Sequence, residues 1–193
     1  MAEAKRARRR FTAEEILRMV AAGILREDEP VELIDGELLE MSPQGPLHRA
    51  RTVAIHQLLE RVFGPGHHVQ DHSPVDAGPS SLPEPDVAVV LGEPADYETR
   101  HPSGPDVPLV CEISVTSQLD DRAKASTYAA GGFASYWNLD VPARRLTVYT
   151  EPRTDLAEYS TIHIYTDRDS LSVAGGVVQV AELLPGPERG PAA

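Results

Sequence analysis

Val107-Pro108-Leu109-Val110-Cys111-Glu112-Ile113-Ser114-Val115 is an apolar run broken by one carboxylate. A second run, Val87-Ala88-Val89-Val90-Leu91, follows Pro85-Asp86. Short runs rich in Val and Ile read as strands covered on both faces. Glu112 must then be paired, protonated or bound to a metal, because burying a bare carboxylate is very costly. Asp86 stands at the mouth of the other strand. Lys124 follows Glu112 by twelve residues, in the first turn of an expected helix, where the helix dipole disfavours a cation. Two acids and a lysine on neighbouring elements suit a hard cation and a phosphodiester.

The flanking segments read as a mixed α/β domain. Thr12 to Arg26 is expected to be helical, with Thr12 and Glu15 forming a capping box and Ile16, Val20 and Ile24 recurring on one face. Val31–Ile34 and Glu37–Met41 flank Asp35-Gly36, a hairpin turn signal. Pro46 to Phe63 is the second expected helix, and Pro46 suits its first position. His67 to Val75 and residues 83–91 and 107–115 are strand segments, with Gly92 to Asp106 an exposed loop between the last two. Asp120 or Asp121 is placed to cap a short helix ending at Gly131-Gly132. Ala134 to Asp140, Arg144 to Tyr149, Thr161 to Thr166 and Val177 to Leu183 complete the strands. Residues 1–10 read as a basic flexible tail, 11–184 as a single domain and 185–193 as a Pro/Gly-rich flexible tail.

Composition narrows the function. The chain has 193 residues, one cysteine and a formal net charge of −12. Residues 1–10 carry Lys5, Arg6, Arg8, Arg9 and Arg10 against Glu3, a contribution of +4 that leaves −16 for the remainder. An acidic body opposes a non-specific grip on a polyanion but leaves room for a local basic groove. No apolar stretch approaches a membrane span, no signal-type segment opens the chain, and Cys111 reads as a core residue, so a cytoplasmic protein is expected. No Gly-rich nucleotide loop or nucleophile elbow occurs. His68 and His72 have metal-like spacing only in a helix, which Val69 and Pro74 oppose, so a structural zinc site is disfavoured.

Phosphodiester hydrolysis needs an activated water, neutralised phosphate charge and a stabilised leaving oxygen, all of which Mg²⁺ can supply. Mg²⁺ takes only one or two carboxylates and keeps several waters. Asp86 and Glu112 meet that requirement if their strands are neighbours. Lys124 could orient the attacking water or hold the phosphate in the transition state. The non-catalytic alternative has a strand-end Asp86 and a buried Glu112 paired with Lys124.

Pro85-Asp86-Val87-Ala88-Val89-Val90, Leu109-Val110-Cys111-Glu112-Ile113, Asp120 to Lys124, Tyr128, Gly131 and Tyr136-Trp137 together resemble the Uma-type endonucleases of the PD-(D/E)XK restriction-endonuclease-like superfamily. Val31-Glu32-Leu33-Ile34-Asp35-Gly36-Glu37 and Met41-Ser42-Pro43 with His48 extend the resemblance, which spans about residues 11–150. It implies a restriction-endonuclease-like mixed β-sheet flanked by α-helices, with an N-terminal helix and hairpin. It implies Mg²⁺ or Mn²⁺ held by Asp86 and Glu112, with the Ile113 carbonyl, and DNA as substrate. Ser114 stands where the wider superfamily has its lysine, and Lys124 on the next helix fits the Uma-type arrangement. Val115 and Thr116 replace the serine and proline common in that family. Tyr128 shares the Lys124 face. Glu37 and His48 are expected in a supporting role at the same cleft. Tyr136 and Trp137 read as core or dimer packing. A homodimer is expected, since cutting two strands favours two-fold symmetry. The alternatives are a non-catalytic nuclease-fold binding protein and a metal phosphoesterase for a small substrate.

Overall fold

The computed structural model describes residues 8–116, 121–174 and 176–186. Most of the basic tail, the Asp120 cap and residues 187–193 lie outside the described residues. The elements in chain order are α1 (Ala13–Ala21), β1 (Val31–Ile34), β2 (Glu37–Glu40), α2 (Pro46–Phe63), β3 (His67–Gln70), β4 (Val87–Leu91), β5 (Leu109–Ser114), α3 (Asp121–Ala130), β6 (Ser135–Asp140), β7 (Arg145–Arg153), β8 (Glu158–Thr166), β9 (Ser170–Val173), β10 (Gly176–Gln179) and α4 (Val180–Leu183).

Six strands form one mixed sheet in the order β3-β4-β5-β6-β7-β8. Only β5 and β6 run parallel, joined through α3, and every other neighbour is antiparallel. Period-two alternation sends the β4 and β5 side chains to two different cores. Val87, Val89, Leu109, Cys111 and Ile113 pack with Ile55, Leu58 and Leu59 of α2 and with Val178, Val180 and Leu183. Ala88, Val90 and Val110 pack with Tyr128 and Ala129 of α3 and with Tyr136. Both faces are covered, which is why these strands are apolar except at Glu112 and the terminal Ser114. Trp137 and Tyr136 are core residues on opposite faces of the sheet.

Several boundaries differ from the sequence reading for local reasons. The capping box of Thr12 and Glu15 forms, but α1 stops at Ala21 rather than Arg26. Gly23 takes φ +68, and the Gly23 and Ile24 amides donate to Val20 and Met19, a Schellman closure that ends the helix. The segment Val177 to Leu183 is a strand only to Gln179. Val180 and Leu183, three residues apart and both fully buried, then form one helical turn. Strand β9, absent from the sequence reading, pairs with β10. Strand β7 continues past Tyr149 to Arg153: the register skips Glu151, which has φ +61, and the ladder resumes at Pro152–Tyr159.

The C-terminal end of α3 is held by close backbone packing. A Cβ on Gly104 would collide with the Gly131 carbonyl oxygen and lie 2.7 Å from the Gly132 carbonyl carbon. A Cβ on Gly131 would lie 2.9 Å from Ala77 Cα. The loop after β4 thus clamps the helix that carries Lys124. Gly104→Ala is expected to lower unfolding free energy by about 3 kcal/mol, the upper range for overpacking, which urea denaturation would measure.

Candidate active site

Strand β4 pairs antiparallel with β5, with Val87 opposite Cys111. One further step of that register sets Asp86 opposite Glu112. The Asp86 carboxylate accepts the Ile113 N–H at 2.7 Å, which ties it to the peptide that follows Glu112. His48, in the first turn of α2, approaches the same Asp86 oxygen through Nε2 at 3.1 Å. The other oxygen meets Gln44 Nε2 at 3.4 Å and His72 Nδ1 at 3.5 Å. His72 holds the left-handed conformation, φ +44, a strained backbone for a residue with a side chain.

Glu112 points to the α3 face, as its alternation with Val110 requires. Its Oε1 accepts the Tyr128 hydroxyl at 2.7 Å and the Lys124 ammonium at 3.0 Å. Lys124 and Tyr128 lie four residues apart on α3 and so reach one carboxylate together. Lys124 also meets Glu32 of β1 at 3.5 Å. A bridge between Leu33 and Leu82 seats the hairpin against the segment leading to Asp86, and the Glu84 amide lies 3.5 Å from Glu32 Oε2.

Asp86, Glu112, Lys124, Tyr128 and His48 are therefore brought together. Glu37 is not among them. Its ion-pair partners are Arg8 and Arg10, each at 3.8 Å. Glu32 takes the place at Lys124 instead. The sequence reading also missed Glu84 and Gln44, and it weighed His72 only with His68 as a disfavoured zinc pair, not as a neighbour of Asp86. Alternation held a signal for two of these. Leu33 belongs to the α1 core, so Glu32 faces away from it, and Glu84 is two residues before Asp86 in an extended segment. Gln44 and His72 lie in loops and carried no comparable signal.

Glu32, Asp86 and Glu112 thus act on Lys124, His48 faces Asp86 and Glu112, and Glu84 lies beside Glu32. Burial pushes Glu112 up to about 7, opposed by Lys124 and assisted by Asp86 and Glu32. Burial likewise raises Glu84 to about 7, with Glu32 adding to it. Burial works against the Lys124 ammonium, but Glu112 and Glu32 outweigh it and hold the proton. The bond to Asp86 raises the His48 value against the cost of burial. Burial, with Glu112 beside it, keeps the Tyr128 phenol protonated. Folded protein therefore binds protons at Glu84 and Glu112 between the ordinary glutamate value of 4.5 and about 7 that the unfolded chain releases. Stability of the metal-free protein is expected to fall as pH rises from about 5 to about 8. Glu84→Gln should raise the melting temperature at the upper end and leave the lower end nearly unchanged, as followed by circular dichroism.

Among the described residues, no group of three or more His, Cys, Asp or Glu side chains is placed to hold a metal by itself. The arrangement of two buried carboxylates on adjacent strands, with a cation from the next helix, can be compared with known proteins. Residues 13–183 match the Uma2 family model, described as "Putative restriction endonuclease". The chain belongs to the Uma2 family. A solved structure similar to this Uma2 chain is that of "a putative nuclease belonging to DUF820" from Anabaena variabilis ATCC 29413. It has a TM-score of 0.70 and 18% sequence identity, over 90% of this chain and 97% of that one. At this identity the likeness shows the fold, a nuclease fold with a six-stranded mixed sheet between helices. No curated protein matches the chain. Among the described residues of this Uma2 protein, no helix is long and apolar enough to cross a membrane.

Proposed function

We propose that this chain is a metal-dependent endonuclease that hydrolyses phosphodiester bonds in DNA, with Asp86 and Glu112 as ligands for Mg²⁺ or Mn²⁺. The observation that carries the reading is the cross-strand placement of Asp86 and Glu112 with Lys124 3.0 Å from Glu112. The donor set fits a hard cation. Mg²⁺ needs only one or two carboxylates; burial raises Glu112, with Asp86 and Glu32 adding to it, and a divalent ion would favour its charged form. The Ile113 carbonyl is a third candidate ligand. When bound, the ion would lower the pKa of a water and neutralise phosphate charge.

The protein's own groups divide the remaining work. Tyr128 fixes the Glu112 carboxylate by a 2.7 Å bond, and the Ile113 N–H and His48 fix that of Asp86. Lys124, held protonated, supplies a point charge to the non-bridging phosphate oxygens as charge builds in the transition state. Glu32 keeps that ammonium at the cleft when phosphate is absent. His48 supports the site by orienting Asp86.

The chain is proposed to act as a cytoplasmic homodimer. Strand β8 is an edge of the sheet and presents Ile162 and Ile164, 55% and 61% exposed. A second copy would cover that edge and place two sites for the two strands of a duplex. Light scattering at tens of micromolar should give twice the chain mass, and a monomer would leave nicking of one strand as the activity.

Purified protein incubated with duplex DNA, single-stranded DNA and RNA should cut DNA only when Mg²⁺ or Mn²⁺ is added. The same ions should raise its melting temperature by binding the folded state. No cleavage and no thermal shift at millimolar metal would reject the reading and favour a non-catalytic binding protein. Cleavage confined to a small phosphodiester would favour the phosphoesterase.

A further inference from the structure

We propose that Arg8, Arg9 and Arg10 form a phosphate-binding arm that grips the nucleic-acid backbone a few nucleotides from the Asp86–Glu112 cleft; this rests on the nuclease reading above. The arginines are built onto the hairpin that carries Glu32. The Phe11 amide donates to the Gly36 carbonyl at 2.9 Å, the Arg10 guanidinium bonds the Asp35 carbonyl, and the Ala13 amide donates to Pro79. Gly36 has φ +78, and a Cβ there would lie 2.7 Å from Arg10 Cβ. The turn glycine therefore serves two purposes, the tight hairpin and the seat of the arm.

The register then places the arm's charge. Glu37 pairs with Ile34 and Leu39 pairs with Glu32, so Glu37 and Glu32 share one face of the hairpin. Arg8 and Arg10 meet Glu37, each at 3.8 Å, while Glu32 meets Lys124 at 3.5 Å. The two contacts are separated by two strand positions, about 7 Å along the hairpin. Phosphates on one strand of DNA advance about 3.4 Å along the axis per nucleotide. A strand whose scissile phosphate lies at Lys124 thus passes the arm within a few nucleotides.

The arm's present ion pairs are exchangeable. The side chains of Arg8, Arg9 and Arg10 are 86%, 71% and 60% exposed. Contacts of 3.8 Å between exposed groups contribute little. Arg9 is the best held, with Glu15 at 2.7 Å and its guanidinium over the Phe11 ring. Planar guanidinium groups bind phosphate oxygens in pairs. Such a grip is needed here, because residues 11–193 carry a net −16 and repel a polyanion. On this account Glu37 is a latch for the arm rather than a ligand in the cleft.

The test is binding of a fluorescent 20-base-pair duplex, in EDTA so that nothing is cut, over a series of salt concentrations. Three proteins are compared: wild type, the triple variant Arg8→Gln/Arg9→Gln/Arg10→Gln and the triple variant Arg8→Lys/Arg9→Lys/Arg10→Lys. The Gln variant is expected to bind at least about 10-fold more weakly at low salt. The slope of log affinity against log salt should become shallower by about 2–3, near 0.9 per lost phosphate contact. The Lys variant should keep most of the slope. Equal affinity and slope in wild type and the Gln variant would overturn the proposal. So would equal losses in the Lys and Gln variants accompanied by a lowered melting temperature in both, because the arginines would then be structural. Wild type that cuts DNA while the Gln variant binds unchanged refutes the arm alone. Wild type that binds through these arginines but never cuts refutes the nuclease reading and upholds the arm. No duplex binding at low salt overturns the arm, while cleavage with added metal decides the nuclease reading.

Discussion

Asp86→Ala is expected to reduce DNA cleavage by about 10³-fold or more, since losing one of two metal carboxylates forfeits several kcal/mol of transition-state charge stabilisation. The same variant should lose the increment in melting temperature that Mg²⁺ or Mn²⁺ gives the wild type. Alanine also strands a buried donor. The Ile113 N–H, now bonded to Asp86 at 2.7 Å, would be left without its acceptor, at a cost of about 1–3 kcal/mol. Asp86→Asn separates the two effects. Its amide oxygen can still accept from Ile113 while its charge is gone, so folding should be near wild type and cleavage still lost. An Asn variant that cuts within about 10-fold of wild type would remove Asp86 from the catalytic machinery.

Lys124→Met is expected to lower cleavage per folded molecule by about 10²-fold, because it removes a charge that acts mainly in the transition state. The aliphatic stem is kept, so little packing is lost. Metal-free protein should also be destabilised. Lys124 lies 3.0 Å from Glu112 and 3.5 Å from Glu32, and removing it leaves two buried carboxylates facing each other's charge. That loss should deepen as pH rises past about 7, where Glu112 ionises. Saturating Mg²⁺ should restore most of the stability, because a bound cation compensates the same carboxylates, but it should not restore turnover. The two measurements on one variant therefore distinguish scaffold from catalyst. Full stability loss in the presence of metal, with unchanged turnover per folded molecule, would leave Lys124 as a structural counter-ion only.

The strand pair that carries the site was legible because its residues obey a strong local rule. Val87 to Leu91 and Leu109 to Ser114 are apolar on both faces, and a single acid in such a run stands out against the cost of burial. The second helix, Pro46–Phe63, and the hairpin at Asp35-Gly36 were equally plain, because Pro at a helix start and Asp-Gly at a turn act through backbone geometry alone. Where local signals were ambiguous the structure departed from the reading. Ile24 and Leu25 fit the helical spacing, but the left-handed Gly23 closes α1 before them. Val180 to Leu183 fit a strand as well as a helix, and burial of both Val180 and Leu183 on one side selected the turn of helix.

The choice between Glu32 and Glu37 shows where local rules end. Both acids lie on the same face of one hairpin, two strand positions apart, and nothing local distinguishes them. Seating of the hairpin against Leu82 and Glu84 carries Glu32 to Lys124, while the arginine arm meets Glu37 at the turn. His72 is brought to Asp86 by a left-handed backbone that the residue type does not announce. The charges at Asp86, Glu112 and Lys124 were thus written in the chain, because burial and helix polarity act on each residue where it stands. Which further acids and histidines join them was decided by packing between segments distant in sequence, since a side chain's partners follow from what folds against it.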